Sequence, residues 1–300
     1  MELRIGTFTK SLLIDIARST GKLERAGIEV AETSVASSPA QFAALESDEF
    51  DLVITSPDNA IAYRFLEKNP LNRNISVQIL AAIDRGLGLS LALGPQVLDI
   101  EAVRGRVVGV DVPNSGFAFL AYALLDRAGI HPGDYDVTAL GSTPRRTSAL
   151  ISGKCAATVL NAGNELRAEG AGCKIISRAT ELGPYLGTVL VAMETNDPAR
   201  QASFLNFAQV LLETSREIVG GNLEAEVIAA AGSLLDLSES EARDHYKCLL
   251  DSKEGLITDG KVDRAAISTL IQLRAEYLPC AELDSIQDSI DELVIDDALG

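Results

Sequence analysis

The 300-residue chain has no tryptophan, two methionines, two histidines and four cysteines. Each shortage closes a route. His131 and His245 are too few, and too far from the turns discussed below, for a histidine metal site or a Ser-His-Asp triad. Cys155, Cys173, Cys248 and Cys280 show no CxxC pair and no zinc-like spacing, so buried thiols are the simplest reading, with a disulfide pair left open. Basic residues are scarce as well: 26 Lys and Arg stand against 43 Asp and Glu, a formal charge of -17. That balance argues against nucleic acid or an anionic membrane surface as partner, since both require clustered cations. No apolar run reaches membrane-spanning length, so no membrane insertion is expected. Met1-Glu-Leu-Arg-Ile-Gly6 lacks the basic start, apolar stretch and cleavage site of a secretory leader. The sequence as it stands reads as cytoplasmic, and as periplasmic if a leader has been removed ahead of Met1.

Several motifs are also missing. There is no Walker A sequence, no GxSxG elbow and no GxGxxG; Gly86-Leu-Gly88 lacks the third glycine and opens no helix. No cofactor and no metal are expected.

What the chain does have is apolar mass, 47% of its residues, enough for a large core. Its hydrophobic periods alternate between strand and helix. Strands are read at 3–7, 27–31 and 50–54, with helices at 12–25, 38–45 and 57–66 between and after them. Two strands, near 75–82 and 87–93, follow without a helix between them, which predicts a crossing between lobes. Alternation resumes with strand 107–110, helix 115–128, strand 136–140, helix 142–151, strand 155–160, helix 162–169 and strand 173–177. A return strand at 187–192 precedes helices near 198–218, 223–231, 238–250 and 261–276. This order predicts a two-lobed α/β protein with a ligand cleft and a helical C-terminal region. Lobe 1 comprises residues 1–84 and 190–300, and lobe 2 residues 85–189.

Ligands of such sheets bind beyond the strand ends, where the turns collect. Four turns share one chemistry: Thr7-Phe-Thr-Lys10, Ser37-Ser-Pro39, Thr55-Ser-Pro-Asp-Asn59 and Pro113-Asn-Ser-Gly116. Each opens a helix with hydroxyl or amide side chains, and so offers free backbone N–H groups and a positive helix end to an anion. Any one of them is also an ordinary cap. Their recurrence in both lobes is what points to a ligand. Gly141-Ser-Thr-Pro-Arg-Arg146 adds cations to another capped start, where one arginine can pair with an acid while the other faces solvent. Asp84-Arg85 at the crossing is either a local ion pair or part of the site.

With these residues in view, the chain resembles the type II substrate-binding proteins of ABC importers, the group serving nitrate, sulfonates, taurine and thiamine-pyrimidine precursors. The resemblance rests on Gly21-Lys-Leu-Glu-Arg-Ala-Gly-Ile28, on Ser38-Pro-Ala-Gln-Phe-Ala-Ala-Leu45 followed by Phe50-Asp-Leu-Val53, and on Val103-Arg-Gly-Arg-Val-Val-Gly-Val110. It continues in Leu125-Asp-Arg-Ala-Gly-Ile-His-Pro-Gly-Asp134 and Ala149-Leu-Ile-Ser-Gly153, and in Ser289 to Leu299, which is similar to that family's last helix. It implies a periplasmic-binding-protein type II fold that closes on a small organic anion, a carboxylate or sulfonate, and hands it to an ABC permease. The implied cleft residues are Thr9, Ser38, Ser56, Asn59, Asn114, Ser115, Gly116, Arg145 and Asn161; the expected site adds Lys10 and an apolar wall from Phe8, Tyr63, Phe117 or Tyr185. The same fold also carries cytoplasmic decarboxylases, desulfinases and lyases. An enzyme of that kind would draw on Lys10, Asp58 or Asp84 as acid or base.

Overall fold

The computed structural model describes residues 2–283, Ile286 and residues 289–295. Two five-stranded sheets organise the chain. The first begins with β1 (Glu2–Thr7), followed by α1 (Leu12–Ser19), α2 (Lys22–Arg25), β2 (Glu29–Ser34), α3 (Ser38–Glu46), β3 (Leu52–Thr55), α4 (Pro57–Phe65) and β4 (Val77–Asp84). The chain then crosses and builds the second sheet from β5 (Ser90–Leu93), β6 (Val107–Val110), α5 (Gly116–Arg127), β7 (Asp136–Ala139), α6 (Thr143–Ile151), β8 (Ala157–Leu160), α7 (Asn164–Gly170) and β9 (Lys174–Arg178). It returns to the first sheet through β10 (Thr188–Met193) and ends in α8 (Pro198–Val219), α9 (Glu224–Leu235), α10 (Glu239–Leu250) and α11 (Arg264–Tyr277).

Strand orders are β2-β1-β3-β10-β4 and β7-β6-β8-β5-β9. In each sheet the β1-type and β6-type pairings are parallel, while the strands flanking the crossing run antiparallel: β10 against β3 and β4, β5 against β8 and β9. β3 and β8, parallel to one neighbour and antiparallel to the other, are buried at every position, which is why they read as continuous apolar runs.

Proline after a polar cap starts helices where expected. Ser37, Ser56 and Ser142 are N-caps with proline in the first turn of α3, α4 and α6. The expected single helix over 12–25 is instead two, α1 and α2, because Gly21 takes a left-handed φ of 70° between them. In the ending that resembles a last helix, Ser289 is helical, Ile290–Glu292 form a 3-10 turn and Val294 bridges to Ile79 of β4; residues 296–300 lie outside the described residues. All four cysteines are free thiols.

A buried ion pair ties the lobes together. The Arg274 guanidinium on α11 donates to Asp58 on α4 through Nε (2.8 Å) and Nη2 (2.6 Å), reaches the Asn114 carbonyl of the second lobe at 3.4 Å, and lies 4.9 Å from the centre of the Phe119 ring on α5. Tyr277, one turn further on, donates to Asp126 at 2.5 Å. α11 is thus a strut spanning both lobes.

A second buried acid sits at the crossing. Glu165 on α7 packs against Gly88, where a Cβ would fall 2.7 Å from its Oε1, and its Oε2 has no partner. Burial pushes its pKa from 4.5 up to about 8. A raised carboxyl pKa stabilises the folded state fully below the unfolded value, and that stability is lost as pH climbs through the folded one. Asp84, raised to about 6, has the same sign at lower pH, and His245, lowered to about 4, the opposite sign below 6.5. Asp111 and Glu32, also raised by burial, share the sign of Glu165, whose own contribution falls between pH 6.5 and 8. Stability measured by urea unfolding should therefore fall across that interval by up to about 1.4 kcal/mol per pH unit. Glu165→Gln should flatten the slope; an unchanged slope would show that Glu165 ionises normally.

Candidate ligand site

The strand ends of the two sheets face one another across a cavity of about 120 Å³. From the first lobe its wall takes the β1–α1 turn (Thr7 to Ser11), the end of β3 with Ser56 and Asn59, and Asp84 of β4. From the second it takes Asp111, Ser115, Gly116 and Phe117 at the start of α5, Thr143 and Arg146 of α6, and Asn161 after β8. Leu235, His245, Leu249 and Leu256 of the C-terminal region close one end.

Seven of the eleven residues expected from sequence meet here: Thr9, Lys10, Ser56, Asn59, Ser115, Gly116 and Asn161. Four do not. Ser38 is buried as the first residue of α3, Asn114 is exposed and contributes its carbonyl to Arg274, and Tyr185 is buried away from the cavity with its hydroxyl unpartnered. Arg145 is off the wall, and Arg146 takes the place assigned to it. The period of α6 explains the exchange. Thr143, Arg146, Thr147 and Leu150 form its buried face, and Arg145 falls outside that stripe. Of the proposed aromatic wall, Phe8 and Phe117 line the cavity, while Tyr63 stacks on Phe42 in the core with ring centres 4.0 Å apart.

The helix starts are less empty than their sequences imply. At α1 the carboxylate of Glu32 accepts from Ser11 N–H (2.7 Å) and the Thr7 hydroxyl (2.8 Å), so the chain supplies its own anion there. At α5 the Ser115 hydroxyl accepts from Ala118 N–H (3.1 Å) and donates to Asp111. Gly116 is required by close approach: a Cβ would lie 2.6 Å from that of Asp58.

Arg146 is the unusual member. It is 2% exposed. Its donors reach the Gly141 carbonyl (2.7 Å), the Val159 carbonyl (3.3 and 3.4 Å) and the Thr143 hydroxyl (3.1 Å). Among the described residues no carboxylate comes within ion-pairing distance of it, although Asp111 is near enough for its charge to oppose the loss of hydration. A guanidinium has five N–H donors and keeps its charge in proteins, so this one presents a buried cation to the cavity. Lys10 adds a second, exposed cation at the rim.

The acids considered for chemistry are differently placed. Asp58 is outside the cavity and held by Arg274. Asp84 lines the wall but does not pair with Arg85, which donates to the Leu256 carbonyl. It accepts instead from the Thr188 hydroxyl and from Gly86 N–H (2.8 Å), and burial raises its pKa to about 6. His245, set aside from the sequence as too distant, is on the wall. Its register carried the signal: Ala242, His245, Tyr246 and Leu249 are the inward stripe of α10. Among the described residues no cluster of three or more His, Cys, Asp or Glu side chains is arranged to hold a metal, and no single helix is long and apolar enough to cross a membrane.

This architecture is the periplasmic-binding-protein fold. Solved structures similar to it include the alkanesulfonate-binding protein SsuA of Xanthomonas axonopodis pv. citri, bound to MOPS (TM-score 0.70, 13% identity, 96% of this chain and 93% of that one). The periplasmic nitrate-binding protein NrtA of Synechocystis PCC 6803 gives a TM-score of 0.74 at 13% identity, over 99% of this chain and 86% of that one. The ligand-binding component of an ABC-type import system from Staphylococcus aureus, with zinc bound, gives 0.72 at 13% identity, over 100% and 98%. No protein family and no curated protein matches the chain by sequence.

Proposed function

We propose that this protein is a solute-binding clamp that holds a small organic anion, a carboxylate or sulfonate, between its lobes and delivers it to an ABC-type permease. The observation that carries the reading is Arg146, a buried guanidinium on the cavity wall with Asp111 nearby but no carboxylate within ion-pairing distance among the described residues. Such a group is costly unless an anion joins it, and with four of its five N–H donors held by Gly141, Val159 and Thr143 one Nη1 N–H remains to donate to an acid oxygen. Lys10 at the rim raises the local anion concentration against the acidic surface, and Ser56, Asn59 and Asn161 supply further donors. The names of structural neighbours that bind sulfonate and nitrate are consistent with this choice.

Closure is proposed to swing residues 85–189 against 1–84 and 190–300 about the two crossings, near Asp84 to Ser90 and Arg178 to Thr188. The test is titration calorimetry with short carboxylates and sulfonates against their neutral amides. The acids should bind one per chain and the amides at least tenfold more weakly; equal binding of acid and amide overturns the anion reading.

A further inference from the structure

The end of the cavity at α9 and α10 has its own chemistry. Leu235 ends α9, Leu249 lies near the end of α10, Leu256 follows α10, and between them sits His245, 1% exposed. The capping box at the start of α10, in which Ser238 Oγ and Glu241 satisfy each other's backbone N–H groups, fixes the register that turns His245 inward. The second lobe completes this end. At Gly163 (φ +86°) a Cβ would stand 2.9 Å from Leu235 Cδ1 and 3.7 Å from His245 Nδ1.

Among the described residues the His245 ring makes no hydrogen bond, and its Nδ1 is sealed from solvent without a partner. Buried polar atoms are nearly always paired, and a leucine would fill this site at no such cost. Burial also draws the ring's pKa down to about 4, so it is neutral near pH 7, with one N–H donor and one bare acceptor. It attracts neither a second anion nor a cation. Asp84, on the wall beside Leu256, would repel a second acid group.

We infer that the ligand is amphipathic: its acid group meets Arg146 while an apolar body runs toward Leu235, Leu249 and Leu256 and presents one uncharged hydrogen-bonding group to His245. This rests on the anion reading above, and gives His245 the role of selecting among acids.

The test uses straight-chain alkanesulfonates of two to eight carbons and the ω-hydroxy counterpart of each, titrated into the intact protein. Affinity should rise about threefold per methylene until the end of the cavity is reached. The ω-hydroxy probe of best-fitting length should bind about tenfold more tightly than its plain counterpart. His245→Leu should abolish that advantage and leave plain-chain affinity within twofold, and His245→Gln, which keeps a polar tip, should retain part of it. Acids that bind without regard to chain length or hydroxyl, or a hydroxyl advantage that survives His245→Leu, would overturn the inference and leave the anion reading standing. If neither the sulfonates nor the matching carboxylates bind, the anion reading falls and the inference with it. The chain-length series needs only the native protein, so it decides even if His245→Leu fails to fold.

Discussion

Arg146→Gln should weaken the binding of any acid ligand by about 2–5 kcal/mol, thirtyfold to several thousandfold in Kd, while Arg145→Gln changes it by less than twofold. The large figure follows from desolvation. A guanidinium that is already buried has lost its water, so its attraction for an acid is not spent on displacing solvent, and removing it leaves the acid unpaired in the same dry site. Arg146→Lys should recover little, because a point charge cannot reproduce the fork that holds the Gly141 and Val159 carbonyls in place. Calorimetry supplies the affinities, and far-UV circular dichroism checks that the variant remains folded. Full affinity in a folded Arg146→Gln protein would move the anion site elsewhere, with Lys10 as the next residue to replace.

Asp58→Ala should lower the unfolding free energy by about 3–5 kcal/mol, read as a fall in the urea midpoint at unchanged slope. Both partners are almost completely buried, with side-chain exposures of 4% for Arg274 and 2% for Asp58. Losing the carboxylate therefore strands a cation in the core. The loss should also reach the second lobe, because the same guanidinium contacts the Asn114 carbonyl and the Phe119 ring. Combining Asp58→Asn with Arg274→Met removes both charges and should restore much of the stability. If Asp58→Ala costs less than 1 kcal/mol, water must reach Arg274 and the strut is not sealed.

The fold was legible because its signals are local. A proline in the first turn behind a polar residue, at Pro39, Pro57 and Pro144, marks helix starts, and the buried runs at Leu52 to Thr55 and Val107 to Val110 mark strands by composition. The return of the chain was legible as a strand. Its antiparallel seat between β3 and β4 was not, since pairing is decided by partners more than a hundred residues away.

The site was legible to the level of turns and no further. Strand-end position brought Thr9, Ser56, Asn59, Ser115 and Asn161 together, whereas side-chain roles depend on contacts that sequence neighbours do not reveal. Asp84 and Arg85 are adjacent yet point to different partners, Thr188 and Leu256. Asp58 looked available until Arg274, 216 residues on, is seen holding it. Glu32 fills the start of α1 from a neighbouring strand. Arg146 and His245 are the two exceptions: helical period alone places both on inward faces, and strict use of it would have preferred Arg146 to Arg145 and kept His245 in view.

The central claim, that the cavity holds an organic acid at Arg146, is tested most directly on the protein as purified from its own cells. Native mass spectrometry should find one small molecule per chain, and denaturation should release an intact carboxylate or sulfonate that Arg146→Gln protein fails to carry. Release of a neutral or cationic molecule, or an acid retained equally by Arg146→Gln, would contradict the account.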